Sequence, residues 1–198
     1  MFVLGVDIGY SNLKLAIGQS GSEPKTIILP AGAGPADRMP ERIGGGDDET
    51  CLYVSVDNER RAAGVPAGRL QGWERELHPE YPTTKTYKAL FHAALLMAET
   101  ESIDLVVTGL PVSQFHEPQR KSDLVQRLKS VHQVTPKRSI TVHDVKVLPQ
   151  PAGAYMDLVQ TGGDLGLIEE GRVVVIDPGF FSVDWVALEA GEIRYSSS

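Results

Sequence analysis

One cysteine, Cys51, stands among 198 residues. That excludes an intrachain disulfide framework and any metal cluster built on several thiolates, and leaves Cys51 as a small, semi-buried residue. Basic charge is also short. Lys and Arg number 19 against 26 Asp and Glu, a formal net charge of −7. A broad electrostatic attraction to nucleic acid or anionic membrane is therefore not expected. Any bound phosphate would need a metal ion and backbone amides to offset its charge. Long apolar runs are missing: the longest, around Ala89 to Ala98, is too short to cross a bilayer. Asp7 interrupts the apolar start, so no signal peptide is read there, and a cytoplasmic location is the default expectation. Histidines His78, His92, His116, His132 and His143 show no ligand spacing and are read as surface or core residues. Gly44–Gly46, followed by two aspartates, lacks the Gly-Lys-Ser/Thr ending of a phosphate-cradling loop and reads as a mobile loop.

What is present is one motif, twice. Val6-Asp7-Ile8-Gly9-Tyr10-Ser11-Asn12-Leu13-Lys14 stands near the start, and Ile176-Asp177-Pro178-Gly179-Phe180-Phe181-Ser182-Val183-Asp184 near the end. Each copy lies between two apolar runs and predicts strand, tight turn, strand. Glycine lets the backbone turn sharply and brings amide N–H groups toward an anion. The aspartate beside it suits a divalent cation, directly or through water. Two such hairpins facing each other would hold a metal-bound polyphosphate between them. Alone, each Asp-x-Gly is an ordinary turn; the pair points to an internally duplicated nucleotide fold.

Between the copies the texture changes. Residues 1–18 read as a two-stranded hairpin, and Lys25 to Leu29 as a third strand. Residues 30–50 are rich in glycine, proline and acid and read as loop. A short strand follows at Leu52 to Val56, so 30–82 reads as a small irregular insertion. Thr83-Thr84 is a helix N-cap signal, and Tyr87, Leu90, Phe91, Ala94, Met97 and Ala98 share one helical face. Ile103 to Thr108 reads as a strand. A second helix opens at Glu117-Pro118, with Leu124, Val125, Leu128 and Val131 on one face. Ile140 to Leu148 reads as one strand, and Pro151 to about Gln160 as a third helix with proline in its first turn. The last strands are Val173–Ile176, Val183–Leu188 and Glu192–Tyr195. The order is that of an α/β fold with a mixed sheet flanked by helices. Trp73 and Trp185 read as core or interface packing, and Asp184 as a structural aid to the second turn.

These residues carry a resemblance. The order Asp-x-Gly hairpin, Gln-Pro-Ala at a helix start, second Asp-x-Gly hairpin is similar to the actin, Hsp70 and sugar-kinase superfamily. Within it, Asp7 to Lys14, Val107-Thr108-Gly109-Leu110-Pro111-Val112, Val145 to Tyr155 and Val175-Ile176-Asp177-Pro178-Gly179 resemble the plasmid-segregation actins of the ParM/StbA group. The resemblance implies an actin-like ATPase (ribonuclease H-like) lobe. Residues 1–29 and 83–170 would form the first large lobe, 30–82 a small inserted subdomain, and 171–198 the start of a second lobe, the rest of which is absent from this chain.

The resemblance also implies site roles. Asp7, Gly9, Tyr10, Ser11, Asn12 and Lys14 would form the first nucleotide-phosphate loop. Gly179, Phe180, Phe181 and Ser182 would form the second. Asp7 and Asp177 would hold Mg²⁺, and Gln150, with Asp177, would serve catalysis by orienting the attacking water. Phosphoryl transfer needs alignment and charge neutralisation more than covalent help. The implied cofactors are ATP, or alternatively GTP, with Mg²⁺. The implied partners are further copies of the protein in a filament, and DNA only through an adaptor. Three positions depart from the family: Tyr10 replaces a Ser or Thr, and Phe180 and Phe181 replace smaller residues. They leave open a non-polymerising scaffold or nucleotide-binding protein without turnover. For the 198-residue chain by itself, weak binding and little or no turnover are expected.

Overall fold

The computed structural model describes residues 1–40, 51–71, 79–162, 166, 171–179 and 182–198. Trp73, His78 and the glycine run at 44–46 lie outside the described residues, as do Phe180 and Phe181. The chain divides into two compact units. Unit 1 holds Met1–Val107 and Gln126–Lys146, and unit 2 holds Thr108–Val125 and Val147–Ser198.

In unit 1, strands β1 (Phe2–Ile8), β2 (Asn12–Gln19) and β3 (Lys25–Pro30) form an antiparallel meander. Alternation decides which face is buried: Leu4, Val6, Ile8, Leu13, Leu15 and Ile17 all point to the core. Strands β8 (Leu105–Leu110) and β11 (Val145–Pro149) extend this sheet in the order β11-β8-β1-β2-β3. Both are cut by the division into units, so their last residues belong to unit 2.

The stretch read as loop after Leu29 contains a strand, β4 (Gly32–Pro35), which pairs with β6 (Glu59–Val65). Strand β5 (Leu52–Val56) pairs with the other edge of β6. Glycine and proline conceal β4 from a propensity reading, but the close pairing demands glycine. A Cβ at Gly32 would stand 2.1 Å from the Val65 carbonyl oxygen. A core of Met39, Cys51, Ala62, Val65 and Leu70 lies beneath.

Helix α1 (Lys85–Met97) starts where expected, with Thr84 as N-cap accepting from the Tyr87 amide at 3.1 Å. It is buried almost all round, beyond the single face its period shows, because it packs on both β1 and the β4-β6-β5 sheet. A third sheet runs β7 (Ser102–Ile103), β10 (Arg138–Val142), β9 (Val131–Thr135). Two expectations are corrected here. The single strand at 140–148 is two, because β10 pairs with β7 and β9 whereas β11 joins β8. Val131 is not on a helix. It opens β9 opposite Thr141 and is exposed.

In unit 2, Pro111 precedes a one-turn helix, α2 (Val112–Phe115). Helix α3 (Pro118–Leu128) begins as expected, and its last residues fall in unit 1. Helix α4 (Pro151–Gln160) carries proline in its first turn. Strands β12 (Arg172–Pro178), β13 (Val183–Glu189) and β14 (Glu192–Ser197) form an antiparallel sheet. One face buries Val186 and Leu188 with Tyr155 of α4 and Val112. The other presents Val174 and Ile176 to solvent, with Tyr195 72% exposed. Among the described residues no helix is long and apolar enough to cross a membrane.

Candidate functional site: two matched hairpins

The two Asp-x-Gly segments have one geometry. In the first, Asp7 pairs with Lys14 and Ile8 with Leu13 across β1 and β2. In the second, Asp177 pairs with Asp184 and Pro178 with Val183 across β12 and β13. Each turn is closed by its glycine amide. Gly9 N donates to Asn12 O at 3.0 Å, and Gly179 N donates to Ser182 O at 2.9 Å. The glycine amides are thus committed to the turns. A Cβ at Gly179 would stand 3.0 Å from the Ser182 carbonyl oxygen, which is why this turn tolerates no larger residue without shifting.

The hairpins differ in what stands opposite the aspartate. Lys14 Nζ lies 3.2 Å from Asp7 Oδ2, and both side chains are largely solvated. The lysine expected to reach phosphate holds Asp7 here. Asn12 opens β2 opposite Pro30, and Ser11 O accepts from the Ala31 amide at 2.9 Å, tying the loop to β3 and β4. Tyr10 packs on Tyr81, with ring centroids 4.8 Å apart, and Tyr81 meets Tyr87 edge-on at 5.7 Å. Burial raises the Tyr10 phenol above its ordinary pKa. The bulk that set Tyr10 apart in the sequence is accommodated by this stack.

In unit 2 the position of Lys14 is taken by Asp184, which is buried. Its Oδ1 accepts from the Val112 amide at 2.8 Å and from Ser198 Oγ at 2.5 Å, and its Oδ2 accepts from Ser182 Oγ at 2.9 Å. Asp184 therefore ties the second turn to the start of α2. Gln150 is the residue before α4, and its amide donates to Leu110 O at 2.9 Å. A Cβ added at Gly109 would stand 2.7 Å from Gln150 Cγ. The sequence had shown Gly109 only as part of a motif, and Tyr81 not at all.

The structure brings the predicted residues together in two groups: Asp7, Gly9, Tyr10, Ser11, Asn12 and Lys14 on one hairpin of unit 1, and Asp177, Gly179 and Ser182 on one hairpin of unit 2. Gln150 stands on another element of unit 2. Taken by itself, each hairpin offers an aspartate of the kind a hard cation accepts, and the first adds a lysine beside it.

Unit 1 also holds a groove of about 550 Å³, lined in part by Ser55, Lys88, Arg127 and His132, that contains none of these residues. In its wall His92 donates Nδ1–H to the Ser55 carbonyl at 2.7 Å, and its ring meets His132 edge-on at 5.4 Å. Burial holds His92 down to about 4 and lowers His132 too. Among the described residues no cluster of His, Cys, Asp and Glu could hold a metal by itself.

The family model of the N-terminal domain of actin-like proteins matches residues 5–153. Among solved structures, apo ParM of pSK41 is 16% identical, with a TM-score of 0.68, 98% of this chain covered and 63% of that one. The archaeal actin homolog Ta0583 in complex with ADP is 21% identical, with a TM-score of 0.70 and coverage of 99% and 60%. The filament structure of AlfA from B. subtilis plasmid pLS32 is 16% identical, with a TM-score of 0.61 and coverage of 98% and 69%. The chain thus spans about three fifths of the length of the first two, at 63% and 60%. No curated protein sequence is significantly similar to it.

Proposed function

Because the chain belongs to the actin-like proteins, through their N-terminal domain, we propose that it is the nucleotide-binding part of a filament-forming ATPase of the plasmid-segregation type. The observation that carries this reading is the matched register and closing hydrogen bond of the two Asp-x-Gly hairpins. In the proposal, the hairpins converge on one nucleotide. Residues 30–82 act as the inserted subdomain, and 171–198 begin the second lobe. The solved relatives support the coarse features: one holds ADP, and another is a filament.

Each residue has a task. Asp7 and Asp177 hold Mg²⁺, which neutralises charge on the phosphates when bound. Lys14 turns from Asp7 to a phosphate oxygen, since the present ion pair is solvated and weak. The backbone from Tyr10 to Asn12 and, on the second hairpin, Ser182 face the phosphates. Gln150 orients water, a task that matters in the transition state and not in the ground state. DNA would be reached only through an adaptor.

The test is light scattering and phosphate release by the full-length protein with Mg-ATP and Mg-GTP. Nucleotide-dependent assembly is expected, with Asp177→Asn slowing hydrolysis more than about tenfold. Tight nucleotide binding with neither assembly nor hydrolysis would favour the alternative, an actin-fold scaffold. Absence of nucleotide binding would refute both.

A further inference from the structure

We propose that Gly109 is a positioning residue for Gln150: the missing side chain at 109 sets where the Gln150 side chain stands. The proposal rests on the water-orienting role given to Gln150 above. Gly109 lies one residue before the end of β8. A glycine inside a strand weakens it, so its presence needs a reason. Backbone conformation is not the reason, because Gly109 is not among the glycines with positive φ. What remains is close approach. The three nearest heavy atoms to a Cβ built there all belong to Gln150: Cγ at 2.7 Å, Cα at 3.3 Å and Cβ at 3.6 Å.

The neighbouring residue fixes the other side of the same contact. Leu110 O accepts the Gln150 amide at 2.9 Å, so the backbone of Gln150 is anchored to β8 while its stem lies over Gly109. Gln150 is also the N-cap of α4, with Pro151 following, so its own backbone has little freedom to yield. An alanine at 109 would have to drive Cγ from 2.7 Å outward to ordinary van der Waals contact, and the side chain beyond it would turn away. The amide group at its tip moves further than Cγ does. Alignment of a reacting water is sensitive on that scale: a misplacement of about 1 Å costs up to ~100-fold in rate.

The experiment is a double-mutant cycle in the full-length protein with Gly109→Ala, Gln150→Ala and the pair, reading single-turnover ATP hydrolysis and nucleotide Kd. Gly109→Ala is expected to slow hydrolysis about tenfold or more with Kd within about twofold, and the pair to be no slower than Gln150→Ala alone. Unchanged hydrolysis in Gly109→Ala, or losses that multiply in the pair, would overturn the proposal. A merely structural role for Gly109 would shift Kd along with rate. Thermal unfolding of the same four proteins gives a readout that needs no activity. Gly109→Ala must lower Tm more with Gln150 present than in the Gln150→Ala background, where no Cγ remains to be met. If Gly109→Ala does not fold, Gln150→Ala must restore folding in the pair. Equal Tm losses in both backgrounds, or a pair that stays unfolded, overturn it. Wild-type protein without hydrolysis, or Gln150→Ala as fast as wild type, would instead remove the catalytic role of Gln150. The Tm cycle would then still decide whether Gly109 sets its place.

Discussion

Asp184→Ala should be among the most damaging single changes in unit 2. Asp184 is 3% exposed and accepts three hydrogen bonds, from the Val112 amide, Ser182 Oγ and Ser198 Oγ. The two hydroxyls are near solvent and can find water once the carboxylate is gone. The Val112 amide cannot, because Val112 is 1% exposed. Leaving a buried donor unsatisfied costs about 1–3 kcal/mol, and the lost charge-assisted bond is worth about 1.5–3 kcal/mol net. These are not additive, so the expected loss is about 3–4 kcal/mol, a large share of the ~5–15 kcal/mol that holds a typical domain. Asp184→Asn keeps an acceptor oxygen for Val112, and Ser182 can rotate to accept from the new amide. Its cost should be about 1–2 kcal/mol. The assay is urea unfolding followed by Trp185 fluorescence in a Trp73→Phe background, so that one tryptophan on β13 reports. A loss under about 1 kcal/mol for Asp184→Ala, or equal losses for Ala and Asn, would refute the claim that a buried acceptor holds the second hairpin to α2.

Acid should destabilise unit 1 through His92. Its folded pKa of about 4 lies below the ordinary 6.5, so stability is full above 6.5 and is lost as pH falls from there toward 4. The loss between pH 7 and 5 should be about 2 kcal/mol. His92→Asn, which keeps a donor for Ser55 O beside Lys88, Asp57 and His132, should show a smaller drop in urea midpoint over that range; an equal drop would clear His92 of the effect. Gln150→Ala in the full-length protein should slow hydrolysis and leave nucleotide Kd nearly intact, as single-turnover and equilibrium titrations would show. A large rise in Kd with unchanged turnover contradicts that role. The solvent face of the β12-β13-β14 sheet, with Ile176 64% exposed, should drive self-association of the chain as it stands. Sedimentation velocity should show larger species that Ile176→Glu reduces, and a monomer at high concentration would refute this.

Much of the chain is legible as sequence because the signals are local. Period-two alternation on either side of Asp7-x-Gly9 and Asp177-x-Gly179 specifies both hairpins, and the structure repeats the same register in each. Thr84 before a 3.6-residue period specifies the start of α1, and proline after Gln150 the start of α4. Where local signals are ambiguous, pairing decides. Leu128 and Val131 fit one helical face, yet Val131 leaves the helix because β10 offers it a strand partner at Thr141. The glycine-rich Gly32–Pro35 has little strand propensity and becomes β4 because β6 lies alongside. The contacts that shape the candidate site join residues far apart in the chain. Tyr10 meets Tyr81, Asp184 meets Val112, and Gly109 meets Gln150. Sequence alone determined which turns would form, since turn and period act through neighbouring residues. Only the tertiary structure decided what each turn leans on, since burial and close approach exist only once distant segments pack.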